Sequence, residues 1–172
     1  MTIKRRIIFT IIGLLVVLAA IATGAFIYLQ TGGGHIVNIY RFNTRNSQLE
    51  PERRTVTEDY PEEMVQAVIR LLYEAPRNNT LRRTIPDDFM IDMIEEVYIT
   101  GGIMNLFFTA RYNEIPPFEE ALLRSSLVHT MVGLPFINIE GVNILVEGEE
   151  LINPFGESLG IQTQENVLIN PP

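Results

Sequence analysis

Val97-Tyr98-Ile99-Thr100-Gly101-Gly102-Ile103-Met104-Asn105-Leu106 joins two short β-type runs through a glycine pair. A Gly-Gly pair between β-branched and aromatic residues is a two-residue hairpin signal, because both turn positions need positive φ. Such a loop sets Thr100 opposite Ile103, Ile99 opposite Met104 and Val97 opposite Leu106. The apolar residues Val97, Ile99, Met104 and Leu106 then share one face, as a half-buried hairpin requires. The runs extend over Ile91 to Thr100 and Ile103 to Thr109.

On either side of this hairpin the periodicity changes to helical. Asp59-Tyr60-Pro61-Glu62-Glu63 is a helix start, with Asp59 as a cap candidate, proline in the first turn and acids at the positive dipole end. Met64, Val65, Val68, Leu71 and Leu72 follow as one apolar stripe, and Pro76 ends the helix. Pro116-Pro117-Phe118-Glu119-Glu120 opens a second helix reaching about Val132, with Phe118, Leu122, Leu123, Leu127, Val128, Met131 and Val132 as its apolar face. Ile36 to Phe42 reads as a strand, and Leu49 to Val56 as extended chain because of Pro51. Val142, Ile144 and Val146 alternate as a further strand closed by Gly148, and Val167-Leu168-Ile169 is an edge-strand candidate. The fold class is therefore α+β, in the order β-α-β-β-α-β, with both helices on one face of a small sheet.

The N-terminal region differs. Ile7 to Leu29 holds no charge, and as a helix it is long enough to cross a hydrocarbon core of about 30 Å. Lys4, Arg5 and Arg6 precede it and no charge follows closely, which predicts a transmembrane signal-anchor with a cytoplasmic N-terminus and an extracytoplasmic domain. A cleaved signal peptide, with Ala20-Ile21-Ala22 as the small-x-small site, is the competing reading. The expected division is a basic tip and membrane helix (1–30), a glycine tether (31–35), an exported domain (36–155) and a C-terminal extension (156–172).

Composition narrows the function. The 172 residues are 47% hydrophobic and 20% charged, with no cysteine, so thiolate metal sites, cysteine nucleophiles and disulfides are excluded. A net charge of -8 argues against nucleic acid as a partner. His129 stands near Ser125 and Ser126, yet a Ser/His pair on one helix lacks the orienting acid and oxyanion hole of a triad. His35 follows the tether and reads as solvated. The acids Glu62, Glu63, Glu119 and Glu120 sit at helix starts, where the dipole alone favours them, and Asp87, Asp88, Glu149 and Glu150 sit in turns. No catalytic residue, metal site, cofactor or small-molecule substrate is inferred. Arg53-Arg54 and Arg82-Arg83 are the basic doublets of the domain, candidates for contact with an anionic partner.

The order of motifs resembles the GerMN domain family of bacterial sporulation and germination proteins. The landmarks run from about Val37 to Pro154: Ile39-Tyr40-Arg41-Phe42, then Leu49, Pro51, Glu52 and Arg53, then Leu71-Leu72-Tyr73-Glu74-Ala75-Pro76. Leu81, Ile85-Pro86, the glycine hairpin, Ser126-Leu127-Val128-His129-Thr130-Met131 with Pro135, and Val146-Glu147-Gly148 complete the series. Ala75, His129 and Phe107 depart from the glycine, aromatic and acid common at those places. The resemblance implies a fold similar to the ring-building motif and a non-catalytic, membrane-anchored extracytoplasmic assembly or interaction module. Its partners would be the membrane through the N-terminal helix, other exported or membrane proteins, or further copies of itself. A GerM-type protein would lie in the intermembrane space around the forespore, supporting sporulation or germination envelope complexes. The alternatives are an exported domain that binds a ligand or cell-wall polymer and, last, a hydrolase using His129 and a nearby serine.

Overall fold

The structure, a computed structural model, describes residues 12–25, 33–86, 93–153 and 156–167. The basic tip Lys4-Arg5-Arg6, the end of the apolar run from Phe26 to Leu29, the acids Asp87 and Asp88, and Leu168-Ile169 lie outside the described residues. The elements in chain order are α1 (12–25), β1 (His35–Asn43), β2 (Gln48–Val56), α2 (Pro61–Tyr73), β3 (Leu81–Arg82), β4 (Ile94–Thr100) and β5 (Ile103–Phe108). A 3-10 turn (Ala110–Glu114), α3 (Pro117–Val132), β6 (Gly141–Val146) and β7 (Glu149–Glu150) follow.

The N-terminal helix corrects the sequence expectation. Among the described residues no helix is long and apolar enough to cross a membrane. The described residues of α1, 12–25, rise about 21 Å at about 1.5 Å per residue, short of a hydrocarbon core of about 30 Å. The transmembrane span expected from Ile7 to Leu29 is therefore overturned. With it goes the expected single-pass localisation, N-terminus cytoplasmic and domain extracytoplasmic.

The class is α+β, but two sheets replace the expected one: β2-β1-β3, and β4-β5-β6-β7. The glycine hairpin forms in the register derived above, with Thr100 opposite Ile103, Ile99 opposite Met104 and Val97 opposite Leu106. Gly101 (φ 58°) and Gly102 (φ 81°) supply the two positive-φ positions. β6 adds parallel to β5, with α3 as the crossover, and Val142, Ile144 and Val146 are all buried.

Tyr40 explains why β1 does not join the second sheet. Its N–H and C=O turn away from Pro51, its partner in β2, and α3 takes both. The Tyr40 N–H donates to Thr130 Oγ1 at 3.0 Å, and Ser126 Oγ donates to the Tyr40 carbonyl at 2.6 Å. Two hydroxyls one helical turn apart thus occupy the strand edge where another strand would pair.

The helices also do not share one face. α2 packs on the side of β1 that carries Val37 and Ile39, within the main core. α3 reaches both sides of that sheet. Leu123, Leu127, Val128 and Met131 join the main core, whereas Leu122 packs with Phe42 and Leu49 in a separate cluster on the opposite face. Residues 125–131 are buried in succession, so two turns of α3 are enclosed on every side. Asp59 does not cap α2: Tyr60 holds the cap position without a side-chain bond, and Asp59 meets His35 Nε2 at 3.1 Å.

Candidate functional site

The arginine doublets are split by strand alternation. Arg53 and Arg54 stand opposite Asn38 and Val37 on β1, so they point to opposite faces. Arg54 is buried: its Nη2 donates to the Ala75 carbonyl at 3.0 Å and its Nη1 lies 3.2 Å from Glu74 Oε2. Its Nε stands 3.2 Å from Glu52 Oε2. Arg83 Nη1 donates to the Tyr73 carbonyl at 3.0 Å.

Arg41, which is fully buried, completes this arrangement. It donates to the carbonyls of Leu72 (2.7 Å) and Leu71 (2.5 Å) and to Glu52 Oε2 (3.4 Å). The last carbonyls of a helix have no partner within it and carry the negative end of its dipole. Arg41 and Arg83 therefore cap the last carbonyls of α2, while Arg54 holds the chain just beyond it at Glu74 and Ala75, with Glu52 balancing the charge. Burial pushes the Arg41 guanidinium below its ordinary pKa against the raising influence of Glu52. For Glu52 burial acts upward, but the Arg77 N–H (2.6 Å) together with Arg54 and Arg41 outweighs it and holds the carboxyl below its ordinary value.

Arg53 and Arg82 are the exposed members of the doublets. Arg82 lies over the Phe42 ring, 4.9 Å from its centroid. The two arginines share a sheet face, but their β1 partners Asn38 and Phe42 are four residues apart, about 13 Å along the strand. The four arginines do not form one cationic patch.

His129 is buried, its ring tilted 5.2 Å from that of Tyr40, and its Nε2 has no hydrogen-bond partner. Burial lowers its pKa, opposed by a bond involving the Val167 backbone. Ser126 Oγ is engaged with the Tyr40 carbonyl and not with the histidine. Among the described residues no group of three or more His, Cys, Asp or Glu is placed to hold a metal ion.

An open groove of about 920 Å³ lies between α2 and β4. Glu62, Glu63, Val65 and Arg70 form its helical wall with Glu58 just before the helix, Val97, Tyr98 and Ile99 form its strand wall, and Phe136 and Ile137 also line it. Phe136 is 84% exposed and has φ 65°, a left-handed conformation unusual for a bulky residue. Sequence reading missed this site because its residues come from three separated segments. It also missed Arg41, although parity with Val37 and Ile39 places that arginine on the inward face.

Fold and surface together define a small two-sheet α+β domain with one parallel β-α-β crossover and an acidic, aromatic-rimmed groove. The chain belongs to the Germane family, described as sporulation and spore germination, whose model matches residues 38–152. The first GerMN domain of the sporulation protein GerM from Bacillus subtilis has a similar fold (TM-score 0.56, 16% identity, 76% of this chain and 98% of that one). The tandem GerMN domains of the same protein also match (TM-score 0.52, 19% identity, 76% of this chain). This chain spans 47% of that tandem structure. A comparison with curated proteins finds no match. The GerMN-type domain expected from the motif order is thus what the chain contains.

Proposed function

We propose that the chain is a non-catalytic assembly or interaction module acting in sporulation or spore germination. The observation that supports this reading best is the groove beside β4, where apolar side chains, unpaired acids and a strand at the end of its sheet are exposed together. The arrangement does not favour a hydrolase. Ser126 holds the β1 edge, and His129 lies buried with no ion pair to an acid among the described residues.

The test is crosslinking of the tagged chain in cells of its source, read by mass spectrometry. Lys4 is the sole lysine, so a carboxylate-directed reagent is needed to reach the domain. Crosslinks from domain glutamates to other proteins, or between copies, are the expected result. A strictly monomeric chain with no crosslinked protein would overturn the reading.

Binding of an anionic cell-wall polymer is the second reading, favoured by the exposure of Arg53 and Arg82. It requires salt-sensitive sedimentation with wall material that disappears in the Arg53→Ala, Arg82→Ala double variant.

A further inference from the structure

We infer that α2 and β4 form a docking groove for an extended, basic segment of a partner protein, which adds to β4 as a further strand. The inference rests on the interaction-module reading and names the chemistry of the partner.

The groove follows the strand edge. Val97, Tyr98 and Ile99 are consecutive, so their side chains alternate between the faces of the sheet, yet all three line the cavity. A cavity in contact with all three runs along the outer side of β4, which ends its sheet with β5 as its one neighbour. The two-residue turn makes Thr100–Ile103 and Tyr98–Asn105 the hydrogen-bonded pairs, and leaves Val97 and Ile99 in non-bonded pairs. The N–H and C=O groups of Val97 and Ile99 therefore point outward. Among the described residues no hydrogen bond takes them up.

Charge selects the occupant. Glu62 and Glu63 line the helical wall, and Glu95 and Glu96 are exposed at the start of β4. None of these acids has a salt bridge among the described residues, whereas Glu58 already holds Arg70 at 3.2 Å. A second copy is disfavoured as the added strand because the chain itself carries a net charge of -8. The register irregularity between Ile94 and Glu96 confines regular pairing to the stretch that begins at Glu96. A short segment alternating apolar and basic residues fits these constraints. Its apolar side chains would meet Val97, Ile99, Ile137 and the outstanding Phe136, and its cations Glu62, Glu63 and Glu96.

The probe is a synthetic heptapeptide alternating lysine and valine, added to the full chain, with a counterpart carrying glutamate for lysine. Hydrogen exchange at the Val97 and Ile99 amides should slow by about tenfold or more with the lysine peptide and remain unchanged with the glutamate one. The Glu62→Arg, Glu63→Arg double variant should weaken lysine-peptide binding by about tenfold, and added salt should do likewise. Ile99→Pro, which removes an outward N–H and no ladder bond, should abolish the protection. Equal binding of both peptides, or no protection at Val97 and Ile99 at millimolar lysine peptide, would overturn the inference. If crosslinking still joins the domain to proteins through another surface, the module reading stands while the groove is discarded. If neither is seen, both fall.

Discussion

Arg53 and Arg54 are neighbours in sequence with opposite tasks, and replacing each by alanine separates architecture from binding. Arg54 is 5% exposed and touches three groups: the Ala75 carbonyl, Glu52 and Glu74. A hydrogen bond from a charged donor contributes about 1.5–3 kcal/mol. Loss of the Glu52 contact adds a part of the cost of breaking a buried pair, since Arg41 and the Arg77 N–H still hold that carboxylate. Glu74 is 55% exposed, so its contact with Arg54 adds about 0–1 kcal/mol. The expected loss for Arg54→Ala is therefore about 2–4 kcal/mol, a large share of a typical stability of about 5–15 kcal/mol. With a urea slope of about 2 kcal/mol/M the unfolding midpoint falls by about 1–2 M. Arg53→Ala, on the exposed face, should stay within about 0.5 kcal/mol of the parent. Urea titration followed by circular dichroism measures both. Equal effects at the two positions, or a loss below about 0.5 kcal/mol at Arg54, would refute its role in holding the chain where it leaves α2.

Four further outcomes follow from the same contacts. His129 and Glu52 both have folded pKa values below their ordinary ones, so each contributes stability above its unfolded pKa that is lost as pH falls toward the folded value. Urea midpoints should therefore drop first below about pH 6.5 and again below about pH 4.5, and His129→Phe should remove the first step. Thr130→Val leaves the Tyr40 N–H without its acceptor, so a loss of about 1–3 kcal/mol and faster exchange of that one amide are expected. Ser126→Ala should behave similarly through the Tyr40 carbonyl, with little change in amide exchange elsewhere in β5 and β6, and an effect confined to those strands would contradict the edge-capping role. At the hairpin, Gly101→Asn should be nearly neutral whereas Gly102→Val, at φ 81°, should cost about 1–3 kcal/mol in thermal unfolding.

The hairpin and the alternation of β6 are legible in sequence because each depends on neighbours a few residues apart. Gly101-Gly102 sets its own register, and Val142, Ile144 and Val146 set their own face. The sheet count is not legible in that way. It depends on Ser126 and Thr130 meeting Tyr40 across 86 and 90 positions, and two hydroxyls on an apolar helix carry no local sign of the strand they will hold. The arginine doublets mislead for the same reason. Adjacent cations read as one patch along the chain, but a strand turns successive side chains apart, and Arg54 goes inward while Arg53 stays in water. The apolar run differs, since the lack of charge from Ile7 to Leu29 allows a spanning helix, whereas among the described residues no helix is long and apolar enough to cross a membrane.

The end of α2 links these observations to the proposed function. A helix that lies against a groove is useful for docking only if it does not shift when a partner presses on it. Arg41 from β1 and Arg83 just after β3 grip the carbonyls at one end of α2, Arg54 from β2 holds the exit from it at Ala75, and Val65 and Val68 fix its core face. Its other end, Pro61-Glu62-Glu63, is left without a side-chain cap and lines the groove. The anchored end and the docking end are thus the two termini of one short helix. Weakening the anchor should reach the groove: Arg54→Ala, assayed in conditions where the chain remains folded, should lower lysine-peptide binding although Arg54 does not line the site. Binding unchanged from the parent in that folded variant would mean that the groove is held by β4 and the core alone, and that the arginine clasp serves stability without serving docking.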